Sequence, residues 1–597
     1  MKDFFKMTFA TMCGIVLLTV VGFIFFLISL VGVAASSNSS VKPEKNSVFV
    51  LRLNGIVTER AEEENPLSSL LSEVDMSAMG LDDLVSAIRK AKDEENIKGI
   101  YIEGGATSFD SPATAQQLRD ALVDFKTTGK WIYAYADQYV QSSYYVASVA
   151  DSVFLNKTGM IDFKGLGGKN YYMTGLYEKI GVRYQATRVG KYKSAVESVT
   201  RKSMSDDDRE QRTAYLTGIW QKMLSDMAQT RNTTAEALDQ LASDSIIAFA
   251  NPADYVTSKL VDALIYPDEI KGKVRQRLGI DDDDDIHQLT LADMKNVKSK
   301  ADDDGDQIAV YYAYGEIVDQ PATGFGSEHS IVGKTTVEDL NKLAKDKDVK
   351  AVVIRVNSPG GSAVASEQIW RAVQQLKKEK PVVISMGGLA ASGGYMMSAG
   401  ASYIVAEPTT ITGSIGIFGL IPNLSGLVND KLGVTWDGVK TNRYTDFEQN
   451  LVFSNDNAEE IANMQAYVDR GYETFLNIVA QGRGLTRDSV HSIAQGRVWV
   501  ATDALGIHLV DTLGSLNDAV KKAAELAKVK DDDYYTHAYP APADWMERLF
   551  DKDKNKGSYL DSELRTVLGD MYRPVMELRR NTQRNPLQSR LDLVVEF

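Results

Sequence analysis

Two tandem α/β domains related by internal duplication, behind an N-terminal transmembrane helix, are the fold class that this sequence predicts. Short runs rich in Val and Ile alternate with stretches of helical apolar spacing, which indicates crossover units and a parallel sheet. The same order of runs occurs twice along 597 residues, a length that exceeds a single core. An uncharged apolar run near the amino terminus precedes both copies.

The apolar run covers residues 7–35. A membrane-spanning helix needs about 20 apolar residues, whereas the apolar region of a cleaved secretory signal has ~7–15. Lys2 and Lys6 lie in the stub 1–6 before the run, and basic residues favour the cytoplasmic side. We therefore expect an uncleaved anchor with the rest of the chain outside the inner membrane. Cleavage near Ala34-Ala-Ser-Ser is the alternative.

The two copies are predicted at residues 47–280 and 307–527. Asn96-Ile-Lys-Gly-Ile in the first copy matches Asp348-Val-Lys-Ala-Val in the second, 252 positions later. Repeats of this length indicate a duplicated domain and not a solenoid. Between them lies an acidic linker, 281–306, which we interpret as a solvated connection because it lacks the ligand spacing of a calcium loop.

Charge and composition restrict the classes of function. The formal net charge is −15 and no long basic patch occurs, so nucleic acid is not an expected partner. No cluster of His, Cys and Glu has metal-ligand spacing, so we expect no metal and no other cofactor. The charged, Tyr-rich C-terminal extension, 528–597, is predicted to be helical and peripheral, with contact to lipid headgroups as a second option.

A single serine, Ser392, stands between two alanines and two glycines in the second copy. A β-branched run precedes it and helical spacing follows it. Several unrelated enzymes present a nucleophile at such a strand-to-helix turn. Glycines there let a substrate carbonyl approach main-chain N–H groups. The competing interpretation is that Ser392 only caps the helix.

The two copies differ at this serine. Ser392 is followed by Gly393-Gly394, and the second copy also has a Pro-Gly-Gly turn with Gly360 and Gly361 after a strand. Such a turn can aim N–H groups at an oxyanion. In the first copy, Ser142 is followed by the bulkier Ser143-Tyr144. The complete serine site is therefore predicted in the second copy.

A candidate base occurs only in the first copy. Lys193 aligns with Thr445 of the second copy. A lysine with a lowered pKa can activate a serine, so one copy could supply what the other needs. The alternative is a surface lysine in a loop with Lys191. None of the five histidines lies in a stretch that is typical of a triad partner.

Four motifs, in this order and with a duplication and an anchor, resemble the long, duplicated form of signal peptide peptidase A, also called protease IV. The likeness runs from the anchor to about Ala527 and includes Gly496-Arg-Val-Trp-Val. The motifs that carry it are Gly190-Lys-Tyr-Lys-Ser-Ala, Asn357-Ser-Pro-Gly-Gly-Ser, Ala390-Ala-Ser-Gly-Gly-Tyr and Thr412-Gly-Ser-Ile-Gly-Ile.

The resemblance implies a serine endopeptidase of ClpP/crotonase fold with a Ser/Lys dyad divided between the copies. Carried over by motif, Ser392 is the nucleophile, Lys193 the general base and Ser414 the residue that orients the lysine. The oxyanion donors would be the N–H of Gly393 and that of Gly360 or Gly361. One departure is Lys191, which brings a second amine near the base.

The resemblance also implies partners and a location. The substrates would be hydrophobic signal peptides left in the membrane after preprotein cleavage. The protein would be a homotetramer in the bacterial inner membrane, crossing it once with its catalytic body on the periplasmic side. Two alternatives are a crotonase-like acyl enzyme, which would need coenzyme A outside the inner membrane, and a non-catalytic membrane scaffold of the same fold.

Overall fold

The elements of the fold follow from a computed structural model of the chain. It describes residues 40–60, 78–244, 247–298, 305–320, 329–530, 533–541 and 588–590, and the isolated positions 6, 11, 14, 17–19, 21 and 22. The predicted anchor, 7–35, thus lies almost wholly outside the described residues. Within the described residues, none of the helices combines the length and the apolar character that crossing a membrane requires.

The strands form three sheets. In chain order they are β1 Ser47–Thr58, β2 Ala78–Gly80, β3 Ile97–Phe109, β4 Trp131–Tyr139, β5 Ser152–Ile161, β6 Arg183–Arg188, β7 Ala263–Leu264, β8 Gln288–Leu289, β9 Asp306–Tyr314, β10 Glu316–Val318, β11 Ser330–Val332, β12 Val349–Ser358, β13 Gly360–Ser362, β14 Val382–Ala391, β15 Tyr403–Ala406, β16 Ile411–Gly413, β17 Phe418–Asn423, β18 Val498–Val500, β19 Thr512–Leu513, β20 Tyr534–Tyr539 and β21 Gln588–Arg590.

The helices lie between these strands. In chain order they are α1 Leu81–Asp93, α2 Pro112–Lys126, α3 Gln141–Ala147, α4 Thr174–Ile180, α5 Glu197–Thr200, α6 Asp206–Arg231, α7 Ala235–Asp244, α8 Pro252–Thr257, α9 Pro267–Leu278, α10 Leu291–Lys295, α11 Gly333–Lys345, α12 Ala363–Glu379, α13 Gly393–Ser398, α14 Phe447–Phe453, α15 Ala458–Arg483, α16 Arg487–Ile493, α17 Ala501–Gly506 and α18 Leu516–Ala527. Residues Ser194–Val196 and Ile247–Phe249 form 3₁₀ turns, and Gly426–Lys431 a π-helical turn.

The duplication is confirmed by the order of the central strands. The first sheet runs β2-β1-β3-β4-β5-β7, with β8 also on β1, and all its pairs are parallel. The second sheet runs β18-β16-β14-β12-β9-β20, with β15 beside β14. The order β1-β3-β4-β5 thus recurs as β9-β12-β14-β15. Central parallel strands are covered on both faces, which explains their continuous Val and Ile runs.

A connecting sheet joins the two copies. Its order is β11-β10-β13-β21-β17-β6, and β6 of the first copy pairs antiparallel with β17 of the second over six residues, from Phe418 opposite Arg188 to Asn423 opposite Arg183. The cores also meet, because Ala391 and Ile411 of the second copy pack into the hydrophobic cluster of the first. The copies therefore form one continuous packed unit around Ser392.

Two predictions about the connecting segments were wrong in part. Within the acidic linker predicted at 281–306, β8 pairs with β1 and α10 packs against α1, so these residues complete the first copy. In the extension predicted to be helical, β20 extends the second sheet parallel to β9, and β21 belongs to the connecting sheet. Both strands satisfy main-chain groups at sheet edges that would otherwise be unpaired. The stretch 559–578, where helical spacing is clearest, lies outside the described residues.

Candidate active site

Ser392 lies at a sharp turn between β14 and α13. Its backbone has φ 57° and ψ −115°, a conformation that costs a non-glycine residue on the order of 1–3 kcal/mol. Its N–H donates to the carbonyl of Gly413 at 2.8 Å, which fixes the turn against β16. The side chain makes no capping hydrogen bond to α13, so the interpretation of Ser392 as a simple helix cap is not supported.

Lys193 reaches Ser392 from the other copy. It follows β6, and the pairing of β6 with β17 carries its loop across the junction. The side chain is 1% exposed, so the interpretation as a surface lysine was wrong. Its Nζ lies 2.6 Å from Ser392 Oγ. The structure therefore brings together two side chains that are 199 positions apart in the sequence.

Ser414 also contacts the lysine amine. Nζ donates to Ser414 Oγ at 3.0 Å and to the Ser414 carbonyl at 3.1 Å. Ser414 itself has a positive φ of 48°, and its N–H donates to the carbonyl of Arg497 at 2.7 Å. A neutral amine has two N–H donors and one lone pair. Two bonds to Ser414 leave that lone pair for the Ser392 hydroxyl.

Gln211 of α6 holds the loop on both sides of Lys193. Its Nε2 donates to the Tyr192 carbonyl at 3.0 Å and to Ser194 Oγ at 3.1 Å. Its Oε1 accepts the N–H of Val498, which belongs to the second copy, at 3.1 Å. Gln211 is 1% exposed, and a buried polar group that satisfies several partners fixes their relative positions. Gln211 therefore joins the lysine loop to β18.

Gly496 provides the surface on which Lys193 packs. It has φ 79°, and a Cβ added there would lie 2.6 Å from the backbone nitrogen of Lys193. The approach leaves no room for a side chain, so only glycine suits both the conformation and the contact. Sequence reasoning included Gly496 in a motif without giving it a role, and it missed Gln211. The motif was the only signal available, because the contact is between distant parts of the chain.

The proposed oxyanion glycines are arranged around the same turn. Gly393 is the first residue of α13, a position whose N–H has no acceptor within the helix. Gly360 and Gly361 are the first two residues of β13, which packs against α13. The N–H of Gly360 already donates to Ser358 Oγ at 3.1 Å.

Lys191 and Ser142 take no part in this arrangement. The Lys191 amine lies 3.3 Å from Asp207, its side chain is 52% exposed, and hydrogen bonds to Tyr192 and Asp207 raise its pKa. Ser142 Oγ donates to the Thr107 carbonyl at 3.4 Å inside the first copy. Among the described residues, no cluster of His, Cys, Asp and Glu could hold a metal ion. The chemistry this geometry offers is activation of a hydroxyl by an amine.

Comparisons with known proteins agree with the duplicated fold. The family model described as peptidase family S49 matches residues 124–281 and 374–530, once in each copy. A Clp protease model matches residues 326–410.

Three relatives of similar length were found. Protease 4 of Salmonella typhi is 35% identical over 551 residues, which cover 89% of this chain and 87% of that protein. Protease 4 of Haemophilus influenzae is 34% identical and covers 86% and 84%. The chloroplastic serine protease SPPA of Arabidopsis thaliana is 29% identical and covers 81% and 70%. The chain therefore belongs to peptidase family S49, in its duplicated protease IV form, and is a serine-type protease built from two ClpP-like α/β repeats.

Proposed function

We propose that this protease cleaves peptides with Ser392 as the nucleophile and Lys193 as the general base. The observation that carries the proposal is the 2.6 Å distance between Lys193 Nζ and Ser392 Oγ. Neither repeat contains both groups, so the active site is a property of the duplicated chain. This arrangement favours the peptidase over the crotonase-like enzyme and the scaffold, because neither alternative requires a buried amine within hydrogen-bond distance of the serine hydroxyl.

The reaction follows the chemistry of an amine-activated hydroxyl. Neutral Lys193 accepts the proton of Ser392 as Oγ bonds to the substrate carbonyl carbon, and the protonated amine then gives that proton to the leaving nitrogen. Lys193 then takes a proton from water as the water oxygen bonds to the acyl carbon, and it gives that proton to Ser392 Oγ as the bond between Oγ and the acyl carbon breaks. The N–H of Gly393 stabilises the oxyanion together with one from β13. Gly361 is the better candidate there, because Gly360 already donates to Ser358.

The chain's own C-terminal strand supports an extended peptide as substrate. β21 pairs antiparallel with β13, placing Arg590 opposite Gly360 and Ser589 opposite Gly361. Main-chain pairing of this kind is a common way to bind peptides with little dependence on side chains. Ser392 is 0% exposed in this state. A substrate must therefore displace the segments that cover the serine, and β21 occupies the edge that a substrate strand would use.

The substrates that we propose are hydrophobic signal peptides left in the membrane after preprotein cleavage. The apolar run 7–35 supports an anchor that keeps the catalytic body at the periplasmic face of the inner membrane, next to such peptides. An apolar groove that binds them would also keep water from Lys193, which favours the neutral amine.

The substrate class can be tested with the full-length chain in detergent micelles. We expect kcat/KM for a synthetic signal peptide to exceed by about tenfold or more that for a peptide of equal length whose apolar segment is replaced by Ser and Asn. Burial of even two apolar side chains is worth roughly 3 kcal/mol, which allows such a ratio. Equal cleavage of both peptides would contradict the substrate class but not the catalytic assignment, for which Ser392→Ala is the control.

A tetramer is supported by the internal symmetry of the repeats. Displaced by 252 positions, β6 corresponds to residues 435–440 and β17 to residues 166–171, and neither segment forms a strand in this chain. Both present exposed apolar side chains: Tyr171 is 51%, Trp436 52% and Val439 102% exposed. If residues 435–440 of one chain pair with residues 166–171 of a neighbouring chain, the pairing of β6 with β17 seen within each chain recurs between chains. Such head-to-tail contacts can close a ring.

Val439→Asp is expected to dissociate this assembly. The side chain is fully exposed in the single chain, so a charge there should cost the folded protomer little, whereas it would be buried in the proposed junction. Light scattering should give a tetramer for the wild type and a smaller species for the variant, with Val256→Asp on α8 as a matched control. Cleavage of a short soluble peptide should change less than about twofold, since Ser392 and Lys193 belong to one chain. A monomeric wild type, or a tetrameric Val439→Asp, would contradict the junction.

A further inference from the structure

The pairing of β12 with β14 is interrupted just before the nucleophile. Val356 lies opposite Met386, but Ser358 lies opposite Ala390, so β14 uses four residues where β12 uses two. The side chain of Asn357 fills the gap, because its Oδ1 accepts the N–H of Leu389 at 2.9 Å. A side chain thus replaces a missing ladder bond three residues before Ser392.

The first repeat holds Asn357 in place. Asn357 Nδ2 donates to Asp110 Oδ2 at 3.2 Å, across the junction of the repeats. Asp110 lies between β3 and α2, where its N–H donates to the Val57 carbonyl at 3.0 Å and its Oδ1 accepts the hydroxyl of Thr114. The carboxylate is therefore fixed by its own repeat and directed at the other one.

The same surface of the first repeat touches the bulge directly. A Cβ added at Gly388 would lie 2.3 Å from the Ser111 side chain, and one added at Gly387 would lie 2.2 Å from Glu59 Oε1. Both glycines are thus required by the close approach of the first repeat. The position of the bulge, and of the strand that leads to Ser392, depends on these contacts.

We propose that Asp110 is a positioning residue for peptide cleavage: through Asn357 it sets the bulge that precedes Ser392 and the start of the turn that carries Gly360 and Gly361. The inference rests on the proposed role of Ser392. It gives the first repeat a second contribution to the site, separate from Lys193. The second repeat has no equivalent carboxyl: Ser111 caps α2 and Ser362 caps α12, so Gly361 occupies the position that corresponds to Asp110.

The charge of this carboxyl changes within the working range of pH. Asp110 is exposed at the protein surface, but packed atoms of both repeats surround its carboxyl and partly desolvate it. This desolvation and the nearby Glu59 carboxylate raise the pKa of Asp110 to about 7, against the opposing effects of Thr114, Arg355 and Ser111. Glu59 follows β1 and is paired with Arg355 of β12 at 2.9 Å, so both charged neighbours come from elements packed on Asp110. The bond to Asn357 is charge-assisted above this pH and neutral below it, and charge-assisted bonds are roughly twice as strong.

Asp110→Asn tests the proposal because it keeps a neutral acceptor at every pH. We expect kcat for a short peptide to be about fivefold below wild type at pH 8.5 or above, with KM little changed, and the ratio of the two enzymes to approach one below about pH 6. Asp110→Ala removes the acceptor and should be slower than Asp110→Asn throughout. Convergence at low pH is the decisive readout, because simple structural damage would reduce the rate by a constant factor.

Asp120→Asn is the matched control. Asp120 lies on α2, and partial burial and Asp226 raise its pKa to about 6, so the variant also removes a half-buried carboxyl of the first repeat. We expect kcat of Asp120→Asn to equal that of the wild type at each pH. A constant ratio for Asp110→Asn, or an Asp110→Ala enzyme with wild-type kcat, would overturn the proposal. Activity in Ser392→Ala would instead contradict the proposed function, on which this inference about Asp110 rests.

Discussion

Ser392→Ala is expected to lower kcat/KM for peptide cleavage by about 10⁴-fold or more, whereas Ser142→Ala should change it less than twofold. The sequence repeat pairs the two serines, but Ser392 lies just before α13 and Ser142 is the second residue of α3, so the pair compares a serine beside an amine with a buried serine that has none. Ser392 Oγ lies 2.6 Å from an amine, while Ser142 Oγ donates to the Thr107 carbonyl. A hydroxyl that is bonded to a carbonyl oxygen has no base to take its proton. The measurement is steady-state hydrolysis of one peptide by the two variants and the wild type.

The folded state of both variants can be checked by thermal unfolding. Each change removes one buried hydroxyl, and we expect similar, small losses of stability. A fluorophosphonate probe, which reacts only with activated serines, should label the wild type and Ser142→Ala but not Ser392→Ala. Equal losses of activity in the two variants, or labelling that persists in Ser392→Ala, would show that the nucleophile has been assigned to the wrong residue.

The division of the site between repeats has a structural origin in the connecting sheet. β6 of the first repeat pairs with β17 of the second, and this pairing brings the loop that follows β6 to Ser414 and Gly496. The corresponding loop of the second repeat holds Thr445, which is exposed. After duplication, only one of the two equivalent lysine positions can face a serine inside the same chain. The geometry agrees with the sequence, which has a lysine only there.

Local patterns predicted much of the fold. The alternation of strands and helices and the turn at Ser392 depend on residues close together in sequence, and the duplication was visible because such local runs recur in the same order. The structure confirms all three. Contacts between distant segments left no such pattern. Gln211 lies within helix α6, and nothing in the neighbouring sequence indicates that its side chain holds the Lys193 loop. Likewise, β21 is three residues long, and pairing with β13 and β17, which are both distant in the sequence, makes it a strand.

The role of Asn357 was also not predicted, although the residue belongs to a recognised motif. Its place before Ser-Pro-Gly-Gly indicated an oxyanion turn, but its side chain acts on β14, and its partner Asp110 is 247 positions away. The positive φ of Ser392 and Ser414 was also not predictable, since serine normally avoids that region. Strain of this kind persists only where surrounding contacts enforce it.

Lys193→Arg is expected to be as inactive as Lys193→Ala, with kcat/KM reduced by roughly 10³-fold or more in both. Arginine keeps the positive charge but does not lose its proton in the working range of pH, so it cannot accept the proton of Ser392. In the wild type, activity should rise with pH as the amine becomes neutral. The apparent pKa should lie well below the ~10.4 of a free lysine, because burial disfavours the charged form.

Lys191→Ala is the matched control, two positions away on the same loop. Its amine faces Asp207 and solvent, so its removal should leave kcat/KM within about twofold of the wild type. Loss of this nearby positive charge makes protonation of Lys193 slightly easier, and the apparent pKa should therefore drift upward. The measurement is a pH series of kcat/KM on one hydrophobic peptide for the wild type and the three variants. An active Lys193→Arg enzyme, or an inactive Lys191→Ala beside an active Lys193→Ala, would show that another group takes the proton from Ser392.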